Sequence, residues 1–291
     1  MSLFLDSFID KRFTMLPNFL FIGPAKSAST WFFEILRSHP QIYVPPCKDI
    51  YFFDRYYGKG VGWYSKHFPS DTGAVAIGEL SHDYLFSEDA CERIGKILPG
   101  VKLIACLRDP VDRFFSDYLF TKKHGLVAGD IFEALEVHPE ILQHCFYYPA
   151  VKRYLDRFGS DHILILDFSE IEKDPDSVVE KVYRFLGVDP KFKPEIANEV
   201  VLPAAFARNT RVAFWGKMGA EWLRKIGLIN LLGRLKRSRL VNALLYETYT
   251  KENYPKLSID DRKKIFNLLK EDIDSLETLL QMHFESWHLN Q

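Results

Sequence analysis

Residues 18–38 read NFLFIGPAKSASTWFFEILRS, and the fold is decided there. The apolar run Phe19-Leu20-Phe21-Ile22 is short, aromatic-rich and closed by Gly23-Pro24, which predicts a buried strand. Phe32, Ile35, Leu36 and His39 recur at helical spacing, so a helix starts near Ser29 or Thr30. Between them lies a loop of small residues around one lysine. A strand, loop and helix in that order aim the first backbone N–H groups of the helix at one point. Lys26 adds a mobile positive charge there, and Ser27, Ser29 and Thr30 add hydroxyl donors. The unit is an anion cradle, though not a Walker A loop: Gly23 stands three residues before Lys26 and no glycine adjoins the lysine. On its own the segment fits an ordinary strand-to-helix turn capped by Ser and Thr equally well.

The rest of the chain narrows the choice. In 291 residues, 47% hydrophobic and 15% aromatic side chains supply a sizeable core and exclude global disorder. A formal charge of −1 excludes the overall basic field of a nucleic-acid binder. Cys47, Cys91, Cys106 and Cys145 form no CxxC pair and no His-linked metal spacing, so they read as reduced, mostly packed thiols of a cytoplasmic protein. The first residues, MSLFLDSFIDKRFTML, scatter acids and bases through any apolar run and fit neither a signal peptide nor a transmembrane helix.

Beyond the first helix, His39-Pro40 stops it, and residues 41–44 give a short strand. Lys48 and Asp49 then sit beside the aromatic cluster Tyr51-Phe52-Phe53, followed by a Tyr/Gly-rich loop carrying Trp63, Tyr64 and Phe68. A small-residue strand over 74–79 leads to Ser81-His82-Asp83-Tyr84, and a helix covers 88–98. Residues 101–107 are a buried strand ending on Arg108, and Asp109-Pro110 has the signature of an N-cap followed by proline at the first helical position, opening a helix to about Lys123. A further strand spans 162–167, and Asp174-Pro175 opens a helix to Leu186. Strands alternating with helices and lacking hairpin signals predict an α/β fold: a central parallel sheet flanked by helices. Ligands of such sheets bind beyond the carboxyl ends of the strands, where Lys26, Arg108 and Asp167 fall.

Residues 203–240 change texture, with nine Lys and Arg against Glu221 alone, a net +8, interleaved with Phe214, Trp215, Trp222, Leu228, Ile229 and Leu231. They read as basic amphipathic helices, either a solvated face or a contact with an acidic substrate or membrane surface. The last helix opens at Ser258, with Asp261 in the capping position, and packs a stripe of Ile265, Leu268, Leu269, Ile273, Leu276 and Leu280.

Together these landmarks resemble the sulfotransferases that use 3′-phosphoadenosine-5′-phosphosulfate (PAPS), in the bacterial and heparan-sulfate-like carbohydrate branch. Gly23-Pro24-Ala25-Lys26-Ser27-Ala28-Ser29-Thr30-Trp31 is similar to the family's P-loop-like 5′-phosphosulfate loop. Residues 107–118, LRDPVDRFFSDY, are similar to its 3′-phosphate element R-D-P-x-x-R-x-x-S-x-Y, the more specific of the two matches. Lys48-Asp49 before Phe52-Phe53-Asp54, Gly62-Trp63-Tyr64, and Tyr147 seven residues before Tyr154-Leu155 agree as well. Three positions depart from the pattern: Ala28 replaces a glycine and restricts positive φ, Asp49 replaces a glutamate, and Leu80 replaces a lysine of the polysaccharide enzymes. A heparan-type acceptor is therefore not carried over.

The resemblance implies one sulfotransferase domain over 1–291, with a nucleotide-binding core over 18–190 and a helical part over 200–291. It implies PAPS as co-substrate, no obligatory metal, and a glycan or small-molecule acceptor. Lys26, Ser27, Ala28, Ser29, Thr30 and Trp31 would hold the 5′-phosphosulfate, Arg108 and Ser116 the 3′-phosphate, and Arg208 would close over the nucleotide. Tyr147 fits a ligand position or the core equally. Lys26, Asp49 and His82 are the catalytic candidates: Asp49 holds the family position for the base, His82 competes with it, and Glu79 and His67 follow. Two other readings stand beside this one. A nucleotide or small-molecule kinase is suggested by the lysine loop and by the apolar run 163–167 ending in Asp167. A non-catalytic module would dock through the basic stretch.

Overall fold

The computed structural model describes residues 15–127, 129–198, 205–226, 246–248 and 255–288, with positions 228, 231–233, 235, 238 and 241. The N-terminal stretch 1–14 and positions 229–230, 234, 236–237 and 239–240 of the basic stretch lie outside these described residues.

The chain runs β1 (Phe19–Gly23), α1 (Ser29–Ser38), β2 (Ile42–Tyr43), α2 (Val61–Ser65), β3 (Ala76–Leu80), α3 (Glu88–Ile97), β4 (Lys102–Leu107) and α4 (Pro110–Lys123). It continues through α5 (Ile131–Val137), α6 (Glu140–Gln143), α7 (Tyr148–Phe158), β5 (Ile163–Asp167), α8 (Phe168–Lys173) and α9 (Pro175–Leu186). The C-terminal part carries β6 (Ala205–Ala207), α10 (Thr210–Lys225), β7 (Tyr246–Thr248), α11 (Ile259–Leu280) and α12 (Glu285–His288).

Five strands form one parallel sheet in the order β2-β3-β1-β4-β5. Because successive side chains on a strand point to opposite faces, the sheet divides the core in two. Phe19, Phe21, Ile104 and Cys106 pack with Phe32 and Leu36 of α1 and Val178, Val182 and Tyr183 of α9. Leu20, Ile22, Leu103 and Ala105 pack on the other face with Ile94 of α3, Phe114 of α4, Tyr154 of α7 and Leu269 of α11. A strand buried on both faces has to be apolar at every position, which is why 19–22 and 103–107 show no alternation.

Local chemistry sets the helix starts. Asp109 accepts from the amides of Val111 at 2.8 Å and Asp112 at 3.2 Å, with Pro110 at the first turn. Ser258 accepts from the Asp261 amide at 3.1 Å. The four cysteines are buried, and no disulfide joins them.

Three sequence expectations change. The Tyr/Gly-rich loop holds a short helix, α2, because Tyr64 and Ser65 turn into the core beneath Phe52 and Phe53. Leu268, expected on the apolar stripe of α11, is 59% exposed, and Phe266 takes the inward place. The C-terminal part, expected to be helical, also contains an antiparallel ribbon of β6 and β7.

In the order β3-β1-β4 the three middle strands end side by side. Their outgoing loops therefore bring Ser81 and His82, Lys26, and Arg108 to one edge of the sheet.

Candidate active site

The loop after β1 turns on two residues in the left-handed region, Lys26 at φ 68° and Ala28 at φ 57°. Ala28 therefore adopts the conformation for which glycine is the usual choice, and α1 begins without a side-chain cap. Ser27 is fully buried, and its hydroxyl has no hydrogen-bond partner among the described residues. A buried donor left open beside uncapped helix amides fits a phosphate oxygen. The Lys26 ammonium lies 4.1 Å from the centre of the Phe120 ring. Burial lowers its pKa to about 8, Asp117 opposes that shift, and the charges of Lys123, Lys48 and Arg108 add to it.

Arg108 Nη1 donates to the Lys26 carbonyl at 3.3 Å, across 82 residues of sequence, and its guanidinium lies over the Phe168 ring. Tyr147 is fully buried, and its hydroxyl donates to the Arg108 carbonyl at 3.0 Å, so the tyrosine holds the backbone of the arginine from the core side. Lys48 Nζ donates to Ser29 Oγ at 2.8 Å. Trp31 is buried, and its Nε1 donates to the Ala197 carbonyl at 2.9 Å, propping α1 from behind. Thr30 and Ser116 are half-buried. Arg208 is exposed and stands 3.8 Å from Glu247.

Asp49 and His82, rivals in the sequence, are partners in the fold: His82 Nδ1 lies 2.7 Å from Asp49 Oδ1. Asp49 (φ 68°) and Tyr51 (φ 55°) both occupy the left-handed region, a strain that persists only where the surroundings over-determine it. The surroundings do so here. The Asp49 amide donates to the Leu80 carbonyl at 2.7 Å, and the Tyr51 amide donates to Ser81 Oγ at 3.1 Å. Ser81 in turn donates to Glu79 Oε2 at 3.0 Å, while Tyr64 and Tyr84 donate to Glu79 Oε1 at 2.9 and 2.7 Å. Glu79 is thus a buried anchor for the loop. Burial raises its pKa to about 7 against the opposing pull of those three hydrogen bonds.

Two further side chains, not signalled by the sequence motifs, complete the cluster. The Tyr51 hydroxyl lies 3.0 Å from His82 Nε2. Arg224, buried on α10, brings Nη2 to 4.0 Å from Asp49 Oδ2 and lies against the Tyr51 ring, as does Arg55. Only their positions in three dimensions mark them. Tyr51 is one of a run of aromatics, and Arg224 one of nine basic residues in its stretch.

The loop after β1 and the loop after β3 are locked together at Gly23. Its φ is +115°, and a Cβ added there would meet the His82 carbonyl oxygen at 2.1 Å. His67 lies apart from the dyad, edge-on to Trp63, and burial lowers its pKa to about 4. Asp167 accepts from the Ser169 amide and hydroxyl as the N-cap of α8. Among the described residues, one grouping of metal-ligand type occurs, Glu277 with His283 and His288, on the C-terminal turn rather than on these loops. It was not visible as a motif, and each imidazole there lies 3.1 Å from Glu277 Oε1.

A family model described as "Sulfotransferase domain" matches residues 16–209. Bifunctional heparan sulfate N-deacetylase/N-sulfotransferase 4 of Mus musculus is 32% identical over 205 residues, covering 63% of this chain and 24% of that protein. The membrane-associated sulfotransferase kil1 of Dictyostelium discoideum is 38% identical over 116 residues, covering 39% of this chain and 25% of that protein. The chain therefore spans about a quarter of the length of these curated relatives. The solved structure of a sulfotransferase from Alicyclobacillus acidocaldarius superposes with a TM-score of 0.69 at 23% identity, covering 94% of this chain and 99% of that one, and so shares its fold.

Proposed function

This chain belongs to the sulfotransferase family, and from that premise we propose that it moves the sulfuryl group of PAPS to a hydroxyl or amine of a carbohydrate, glycolipid or secondary-metabolite acceptor. Such a transfer places an SO₃-like group in line between two oxygens, or between an oxygen and a nitrogen. The protein must stabilise charge on the leaving phosphate and accept a proton from the attacking group.

Lys26, the N-terminal amides of α1 and the hydroxyls of Ser27, Ser29 and Thr30 would hold the 5′-phosphosulfate. Arg108 would grip the 3′-phosphate as a charged fork, with Ser116 as a short neutral donor. Asp49 would take the acceptor's proton, with His82 hydrogen-bonded to it as its partner. The observation that supports the reading is the 3.3 Å contact between Arg108 and the Lys26 carbonyl, since it joins the loop after β1 to the loop after β4. The kinase alternative is not favoured: the loop lacks the second Walker glycine, and Asp167 serves as a helix cap.

The whole chain is taken as one domain, with α11 resting on α4 and α7. No helix among the described residues is long and apolar enough to cross a membrane, and the buried thiols suit a reducing cytoplasm. On α10 and its C-cap, Val212, Trp215, Met218, Trp222 and Ile226 follow one another at helical spacing and are exposed, with Arg211 and Lys225 beside them. Such a face suits peripheral contact with an anionic lipid or glycan surface.

Transfer of ³⁵S from labelled PAPS across a panel of glycan, glycolipid and small-molecule acceptors tests the function. Label should appear in an acceptor with the wild-type protein and vanish with Lys26→Ala. A panel that stays unlabelled while the protein consumes ATP would overturn it.

A further inference from the structure

We infer that Tyr51 is a positioning residue of the base pair, its hydroxyl capping His82 Nε2 so that the ring keeps the orientation and tautomer that donate through Nδ1 to Asp49. The inference rests on the base reading proposed above.

An ionised carboxylate only accepts, so the 2.7 Å contact between Asp49 Oδ1 and His82 Nδ1 places a proton on Nδ1. In a neutral ring Nε2 then carries the lone pair, and the 3.0 Å contact with Tyr51 is an O–H donation to it. Tyr51 is a fit donor: its hydroxyl is buried, and burial, with Asp49 and Asp83 nearby, keeps it protonated far above neutral pH.

The pairing has a competitor. Asp83 Oδ1 stands 3.4 Å from the same Nε2 and would accept from it if the ring became an imidazolium. An imidazolium beside ionised Asp49 is an ion pair already holding the proton that the acceptor must give up. Arg55 pairs with Asp83, and Arg224 stands opposite Asp49 Oδ2, so both carboxylates facing the ring are countered by a guanidinium. Both guanidiniums lie against the Tyr51 ring, and its amide is tied through Ser81 to buried Glu79. The phenol is therefore fixed from three directions. Two left-handed residues, one on each side of Ile50, are what this arrangement costs the backbone.

The decisive experiment reads the imidazole directly and needs no acceptor. Full-length protein with ¹⁵N-labelled histidine, saturated with 3′-phosphoadenosine-5′-phosphate, is studied by NMR at pH 7 as wild type and as Tyr51→Phe, which keeps the ring and removes only the hydroxyl. In the wild type, His82 Nε2 is expected to be unprotonated and Nδ1 protonated. In Tyr51→Phe the ratio of Nε2-protonated to Nε2-unprotonated ring should rise roughly 5- to 10-fold, the effect of losing the one hydrogen bond that Nε2 accepts. A protonated Nε2 in the wild type, or an unchanged ratio in the variant, overturns the inference. Should the variant not fold, the wild-type spectrum decides alone. Failure of the wild type to bind the nucleotide would instead sink the functional reading, so the two are told apart in one set of samples.

Discussion

Gly23→Ala tests whether the phosphate loop and the proposed base are mechanically one unit. The new Cβ would meet the His82 carbonyl oxygen at 2.1 Å and its carbonyl carbon at 2.8 Å. Ordinary contact begins at 3.4 Å, so β1 and the loop after β3 must part by about 1.3 Å. Neither side yields cheaply, because Ser81 donates its amide to the Phe21 carbonyl at 3.0 Å and Asp49 is tied to Leu80. A φ of +115° in a residue with a Cβ adds strain of order 1–3 kcal/mol. Displacing a positioned group by about 1 Å costs on the order of 100-fold in turnover. The expected phenotype is a kcat reduced by about two orders of magnitude in ³⁵S transfer, with a melting temperature lower by several degrees. Nucleotide affinity should fall much less, since Tyr147 still holds the Arg108 carbonyl. A variant with wild-type kcat and melting temperature would refute the claim that these loops position each other.

Ala28→Gly relieves a left-handed alanine at the start of α1 and should stabilise the protein by about 1 kcal/mol, seen as a rise of roughly 2 °C in calorimetry; no rise would mean that the loop relaxes without nucleotide. Burial lowers the Lys26 pKa from 10.5 to about 8, so the unfolded chain binds more protons between those values. The Lys26 contribution to stability in the nucleotide-free protein should therefore rise with pH across that window. Binding of 3′-phosphoadenosine-5′-phosphate should take up a proton above about pH 8, measured by calorimetry in buffers of different ionisation enthalpy, and Lys26→Arg should abolish the uptake. Burial raises the Glu79 pKa from 4.5 to about 7, so its contribution to stability falls as pH rises between those values. In Glu79→Gln that component should be absent from the pH–stability curve, whereas Glu79→Ala should lose about 3 kcal/mol at pH 7 by stranding the Tyr64 and Tyr84 hydroxyls.

Much of this fold is written in short-range patterns. The continuous apolar runs at 19–22 and 103–107 give strands buried on both faces, and Asp109-Pro110 and Asp174-Pro175 mark helix starts as the structure has them. The proposed phosphate motifs could be picked out of the sequence because each is contained within a strand end and the next helical turn. The Asp49–His82 contact was not, because it is assembled from the loop after β3 and the Lys48–Tyr51 loop across 33 residues, so the two looked like alternatives rather than one pair. Glu79 looked like a third rival until the register of β3 turned it inward, where three donors meet it. Arg224 belongs to a stretch whose basic texture suggested a solvated face, and no local pattern distinguishes the one arginine that folds inward beside Asp49. Leu268 is the reverse case, an apolar residue at helical spacing that the orientation of α11 leaves in solvent.

The central claim is that Lys26 and Arg108 grip the two ends of one adenosine nucleotide, and titration calorimetry tests it most directly. The wild type should bind 3′-phosphoadenosine-5′-phosphate at least about tenfold more tightly than ADP, the differential of one charge-assisted contact. Arg108→Ala should erase that preference by weakening the 3′-phosphorylated ligand alone. Equal affinity for both ligands in the wild type, or a preference that survives in Arg108→Ala, would contradict the account.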